Sequence, residues 1–110
     1  MSLTWEQFAQ VDIRIGTITA AAPNVKARRP AYVLSIDLGE LGTRTSSAQI
    51  TDHYVPDDLV GRQVACVVNF APKRIAGVKS QVLVLGGVLA DDSVVLLRPD
   101  SPVPDGRPVA

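Results

Sequence analysis

From Val11 onward the apolar positions fall on every second residue: Val11, Ile13 and Ile15 alternate with Asp12 and Arg14. Successive side chains of a strand point to opposite faces, so this pattern predicts a first strand with one buried face. Gly16 breaks the phase and Ile18 falls on the other parity, which predicts a bulge or sharp bend at the glycine. A second strand is predicted from Tyr32, where Tyr32, Leu34, Ile36 and Leu38 alternate with Val33, Ser35 and Asp37. Gly39 to Gly42 turns the chain, and Arg44 to Ile50 reads as a polar third strand. Arg62 to Phe70 carries apolar residues on both parities, as a central strand buried on both faces does. Gln81 to Leu89 is predicted as a fifth strand, Ala90 to Ser93 as a tight turn, and Val94 to Leu97 as a short sixth strand.

Helical signals are brief. Thr4 with Gln7 three residues on forms a capping box, and Trp5 and Phe8 lie on one side of the helix that it starts. Such a helix, within residues 1–9, is too short to stand alone and must dock on the core or on a partner subunit. Pro56 followed by Asp57 and Asp58 predicts a helical turn before the fourth strand. Residues 99–110 contain Pro99, Pro102, Pro104 and Pro108 and are expected to form an extended arm or a loose end. The sum is an all-β chain, one domain over residues 1–110: a five-stranded Greek-key barrel of the OB-fold type, with an open sandwich as its competitor.

Composition adds what the pattern cannot. The 110 residues are 46% hydrophobic but only 5% aromatic, so the core must be built from Val, Ile, Leu and Ala. Eleven basic and eleven acidic residues cancel, and any attraction for a polyanion must come from uneven placement. That unevenness exists. No acidic residue occurs between Asp58 and Asp91, a stretch holding Arg62, Lys73, Arg74 and Lys79, and Lys26, Arg28 and Arg29 form a second cluster. One cysteine excludes an internal disulfide, and its place in the apolar run Val64–Val68 predicts a buried thiol. No basic-then-apolar leader and no apolar stretch approaching the ~20 residues of a membrane span is present, so a cytoplasmic protein without membrane insertion is expected.

Catalytic machinery is not expected. His53 is the only histidine and sits beside Asp52 in a turn. No Cys/His cluster, calcium-loop spacing or Gly-rich phosphate loop is present, so neither metal nor cofactor is anticipated. The adjacent pairs Asp57-Asp58 and Asp91-Asp92 fit helix-start and turn roles. The serines of Thr45–Gln49 have no base nearby in sequence to activate them.

Binding is the better expectation. Asn69, Phe70, Pro72, Lys73, Arg74, Ser80 and Gln81 form a cationic loop with polar residues at its two ends. The Lys26, Arg28 and Arg29 cluster joins the first two strands, and two basic loops on a small barrel can flank one groove. Ser46, Ser47 and Gln49 form either a water-facing edge or a groove floor of neutral donors and acceptors. Readers of single-stranded nucleic acid supply stacking aromatics, which are scarce here, so structured RNA fits the cations better.

The chain resembles the bacterial CsaA-type export chaperones of the tRNA-binding-domain superfamily. The similarity runs over nearly the whole length. It rests on Phe8 through Gly16, Arg29-Pro30-Ala31-Tyr32 with Ile36–Gly39, Ser46 through Thr51 with Tyr54, Val67–Phe70 with Pro72-Lys73, and Ser80 with Leu83–Gly86. The resemblance implies an OB-fold homodimer whose N- and C-terminal extensions help the subunits pair. It further implies binding of unfolded or precursor polypeptides, a tRNA-binding surface, and the protein-export machinery as a further partner. Asn69, Lys73 and Ser80 match superfamily positions that contact tRNA. Gln81, Val82 and Leu83 depart from the superfamily pattern, which favours a more permissive groove over a strict tRNA reader.

Overall fold

The computed structural model describes residues 1–110. Two short helices, α1 (Trp5–Ala9) and α2 (Pro56–Leu59), accompany nine strands. These are β1 (Ile13–Pro23), β2 (Tyr32–Asp37), β3 (Thr43–Ala48), β4 (Gln63–Val67), β5 (Lys73–Ile75), β6 (Val78–Ser80), β7 (Leu83–Val84), β8 (Gly86–Val88) and β9 (Val94–Leu96). Five of them form an antiparallel sheet in the order β3-β2-β1-β4-β7, which curls into a nearly closed barrel of the expected OB type. The hairpins β5–β6 and β8–β9 stand beside it.

β1 holds the barrel together because it serves two partners. Its first half, Ile13 to Thr17, pairs with β4, and its second half, from Thr17 to Pro23, pairs with β2. The expected break at Gly16 is corrected by the structure. The register slips three residues later, between Ile18 and Ala20, whereas Gly16 itself lies at the changeover under close approach. A Cβ there would sit 2.7 Å from both Ile36 Cγ2 and Leu38 Cδ2 and 2.8 Å from the Asp37 carbonyl oxygen, so only hydrogen fits.

The core is aliphatic, as the scarcity of aromatic residues requires. Ile18, Leu34, Ile36, Leu38, Leu59, Val64 and Cys66 are fully buried in it. Its two tyrosines are fixed by their hydroxyls: Tyr32 donates to the Tyr54 carbonyl at 2.7 Å, and Tyr54 accepts from the Leu96 amide at 2.9 Å. β4 is buried on both faces, as its sequence predicts. Val64 and Cys66 face the core, so alternation puts Ala65 and Val67 outside, where they pair with Ile15 and Ile13.

Other expectations are adjusted. The predicted fifth strand divides at Leu85 into β7, paired with β4, and β8, paired with β9, because the Gly86-Gly87 pair lets the chain leave the barrel. The basic loop is instead the hairpin β5–β6. The proline-rich tail is no loose end: its backbone exchanges hydrogen bonds with Ile13 and Ile15, continuing the line of β2 along β1. Asp105 there accepts from Thr17 Oγ1 at 2.6 Å, and the Val103 backbone is held by both ends of the Gln63 amide.

Gly16→Ala is expected to destabilise the chain by about 1–3 kcal/mol, since the barrel wall must move to admit one methyl group. A urea midpoint lowered without change in slope would show it; an unchanged midpoint would refute the close-packing account.

Candidate ligand groove

The β5–β6 hairpin turns on Ala76 and Gly77, whose φ angles of 47° and 81° are both left-handed. That is the two-residue turn whose twist matches paired strands, and the Ala-Gly pair between Ile75 and Val78 was its only sequence signal. Register then sorts the side chains. Lys73 pairs with Ser80 and Ile75 with Val78 on one face, while Arg74 and Lys79 pair on the other. The first face looks onto a groove of about 310 Å³ lined by Phe70, Lys73, Ile75, Ser80, Gln81, Leu83 and Ser47. Phe70 is 58% exposed there, an aromatic ring with no cover.

A second groove of about 310 Å³ adjoins it, sharing Ser47 and Ile75 and adding Arg28, Arg29 and Gln49. Asn24, which the sequence reading passed over, positions its cations. Buried at the end of β1, Asn24 accepts the Lys26 amide at 3.3 Å and donates to Ser47 Oγ at 3.4 Å. A Cβ on Gly77 would lie 3.2 Å from Lys26 Cδ, so the Lys26 stem rests on the hairpin turn. Three cations from one loop and one from the hairpin therefore rim a continuous, partly apolar trough.

Four predicted groove residues are placed elsewhere. Asn69 is turned away: Oδ1 accepts the Asp12 amide at 3.0 Å and Nδ2 donates to the Gln10 carbonyl at 2.6 Å, tying the end of α1 to the end of β4. Arg74 caps its own turn, with Nη1 donating to the Gly77 carbonyl at 3.1 Å. Pro72 is exposed ahead of β5 without lining the trough. Ser46, only 2% exposed, donates to the Val82 carbonyl at 2.9 Å and belongs to the barrel wall.

Ser46 is one member of a seam that joins β3 to residues 80–82. Gln81 N–H donates to the Thr45 carbonyl at 2.8 Å, and its side-chain Oε1 accepts the Thr45 amide at 2.9 Å. Ser80 Oγ accepts the Ser47 amide at 3.2 Å. Side-chain oxygens thus stand in for the carbonyls that a regular ladder would supply, and Ser80 Oγ and Gln81 Oε1 already have partners within the chain.

The remaining reactive groups do not form a nucleophile–base pair. Burial pushes the Cys66 thiol up to about 12, far from the thiolate that reacts. His53 Nε2 lies 2.8 Å from Ser93 Oγ, but the Ser93 hydroxyl donates to Asp91 at 2.5 Å, so its proton points to the carboxylate and not to the imidazole. Donation from the Ser93 hydroxyl, then from its amide, holds Asp91 below the usual carboxylate range. No three His, Cys, Asp or Glu side chains gather closely enough to hold a metal ion. No helix is long and apolar enough to cross a membrane.

Comparison with known proteins agrees with this geometry. Residues 13–108 match the family described as "Putative tRNA binding domain". The fold superposes on the chaperone CsaA of Bacillus anthracis with a TM-score of 0.95, 52% identity and full coverage of both chains. The CsaA chaperone of Picrophilus torridus gives 0.92 and 43% identity, covering 99% of this chain and 100% of that one. Among curated proteins, the methionine–tRNA ligase of Methanococcoides burtonii is 41% identical over 98 residues, 89% of this chain but 14% of that enzyme. The chain therefore spans about a seventh of the length of the curated relatives it matches.

Gln81→Ala removes the acceptor for the Thr45 amide and should loosen the seam locally. Amide hydrogen exchange at Thr45 and Ser47 is expected to rise by roughly fivefold, as loss of one net hydrogen bond of ~1 kcal/mol allows, while exchange at Leu34 and Ile36 stays unchanged. Equal acceleration at all four would mean that the seam is not a separate unit.

Proposed function

The chain belongs to the tRNA-binding-domain family, and from that premise we propose that it is a non-catalytic, chaperone-like binding protein for unfolded or precursor polypeptides in the cytoplasm. The carrying observation is the trough: an uncovered Phe70 beside Ile75 and Leu83, rimmed by Lys73, Lys26, Arg28 and Arg29. An apolar floor takes side chains of any unfolded segment, and a cationic rim favours segments with carboxylates and backbone carbonyls. Ser80 and Gln81 are engaged in the seam and Asn69 with α1, so few oriented polar groups are left for base-by-base recognition. The likeness to CsaA chaperones supports the same reading.

A second reading rests on the convergence of the same cations. Lys73 and the 26–29 loop can neutralise the phosphates of a structured RNA, and the family supports tRNA as that RNA. Salt separates the two ligands. Phe70→Ala is expected to lower affinity for an unfolded polypeptide by roughly tenfold, with little change between low and moderate salt. Affinity for tRNA should fall by about 100-fold or more over that salt range and collapse on charge reversal at Lys73 and Arg28. If polypeptide binding ignores Phe70→Ala, the trough is not its site; if tRNA binding ignores the charge reversals, the RNA reading of the trough fails.

The outer face of the barrel supports pairing of two copies, with the export machinery as the downstream partner of the dimer. Ile13 and the half-exposed Leu97 supply its apolar surface, whereas Ile15, Ala65 and Val67 behind them are already buried within the chain. Trp5 is 87% exposed on a cleft of about 660 Å³ formed by α1 and the tail residues Pro108 to Ala110. A short helix with so bare an indole gains its stability from a partner surface. Light scattering of the full chain should report a dimer, and removal of residues 1–9 a monomer. A monomeric full-length chain would refute the pairing.

A further inference from the structure

At the other end of β4 from Phe70 lies a cleft of about 660 Å³ lined by Thr17, Gly61, Arg62, Gln63 and the Arg98–Pro102 segment. None of its lining residues is hydrophobic. Two arginines reach it and neither is ion-paired, since the one salt bridge of the chain joins Arg14 to Asp12. The Arg62 guanidinium lies over the Tyr54 ring, 5.2 Å from its centroid, and its Nε is buried without a hydrogen-bond partner. Arg62 is thus held by the ring on one side, half-buried, with its Nε–H short of an acceptor.

The Thr17–Gln63 wall of the cleft is held by hydrogen bonds of its own. Gln63 is fixed by two hydrogen bonds to the Val103 backbone, and Thr17 by its bond to Asp105. Asp105, which accepts from both Thr17 and Gln63, is directed into that wall and not towards the arginines. Between Pro99 and Pro102, the amides of Asp100 and Ser101 make no hydrogen bond within the chain. Asp100 lines the cleft as well, yet no cation lies within ion-pairing distance of its carboxylate. Arg62, Arg98, Asp100 and Ser101 thus line one cleft, in which neither guanidinium is ion-paired and the 100–101 amides have no partner within the chain.

We infer that this cleft is a phosphate-binding site, in which Arg62 and Arg98 clamp one phosphate group and the 100–101 amides complete its coordination. A planar guanidinium presents paired N–H donors that match two oxygens of one phosphate. The site is separate from the trough and does not depend on the polypeptide reading. Its ligand is either a free phosphate or a phosphate of a nucleic-acid strand, which present the same chemistry.

The test is a titration of the full chain followed by ¹H–¹⁵N NMR, at constant ionic strength maintained with chloride. Inorganic phosphate is the first probe and a five-nucleotide RNA the second. Saturable shifts are expected at Arg62 Nε, Arg98 Nε and the Asp100 and Ser101 amides. Arg98→Gln, an exposed change that leaves the core untouched, should weaken phosphate affinity by roughly tenfold or more, and Arg62→Gln by a similar factor. Lys73→Gln should leave it unchanged. Tighter binding of the RNA through the same resonances would identify a strand phosphate as the ligand; equal or weaker binding would identify the free anion. Absence of shifts with both probes, or shifts that persist in Arg98→Gln, would overturn the site.

Discussion

Closure of a small barrel requires that its first and last strands meet, and here they meet through side chains. The seam between Thr45–Ser47 and Ser80–Val82 contains one regular backbone bond, from Gln81 to Thr45. Gln81 Oε1, Ser80 Oγ and Ser46 Oγ supply the others. A backbone ladder would draw β3 and the β5–β6 hairpin flat against one another. Side-chain bridges join residues 80–82 to β3 instead, and Ser47, Ser80 and Gln81 of this seam line the trough. Buried backbone groups on both sides still find partners, so the opening does not carry the penalty of orphaned amides.

The character of the trough follows from that arrangement. Polar side chains that from sequence look like ligand contacts are engaged in the structure: Ser46, Ser80 and Gln81 in the seam, Asn69 with the end of α1. What faces outward is the apolar side of the hairpin, Phe70, and the exposed cations Lys73, Arg28 and Arg29. Such a surface discriminates by general chemistry and not by fixed hydrogen-bond geometry, as a binder of varied chains needs.

The barrel was legible because its strands obey the two simplest rules. β2 alternates cleanly and β4 is apolar on both parities, and each is buried accordingly. The capping box of α1 was equally readable, since Thr4 and Gln7 bond one another as their spacing dictates. Gly16 misled because alternation reports a change of parity without reporting its cause. The parity changes because Ile13 and Ile15 lie on the outer face and Ile18 in the core, whereas the glycine itself answers to Ile36 and Leu38, which are remote in sequence. The hairpin was missed because its strands are short and charged, leaving Ala76-Gly77 as the whole signal. Family resemblance pointed to Lys73 and Ser80, and both line the trough. It could not show that Ser80 would be engaged with β3, since hydrogen bonding across the barrel depends on the assembled fold.

Asn69 and Phe70 are separated by one peptide bond yet serve different surfaces. Asn69 grips the chain between α1 and β1, and Phe70 forms the wall of the trough. Any coupling between a ligand against Phe70 and the bonds that seat α1 has this one peptide bond to cross. Linkage of this kind runs equally in both directions: whatever factor a bound chain adds to the seating of α1, that seating returns to the bound chain. One peptide bond thus separates the seat of the N-terminal helix from the wall of the trough.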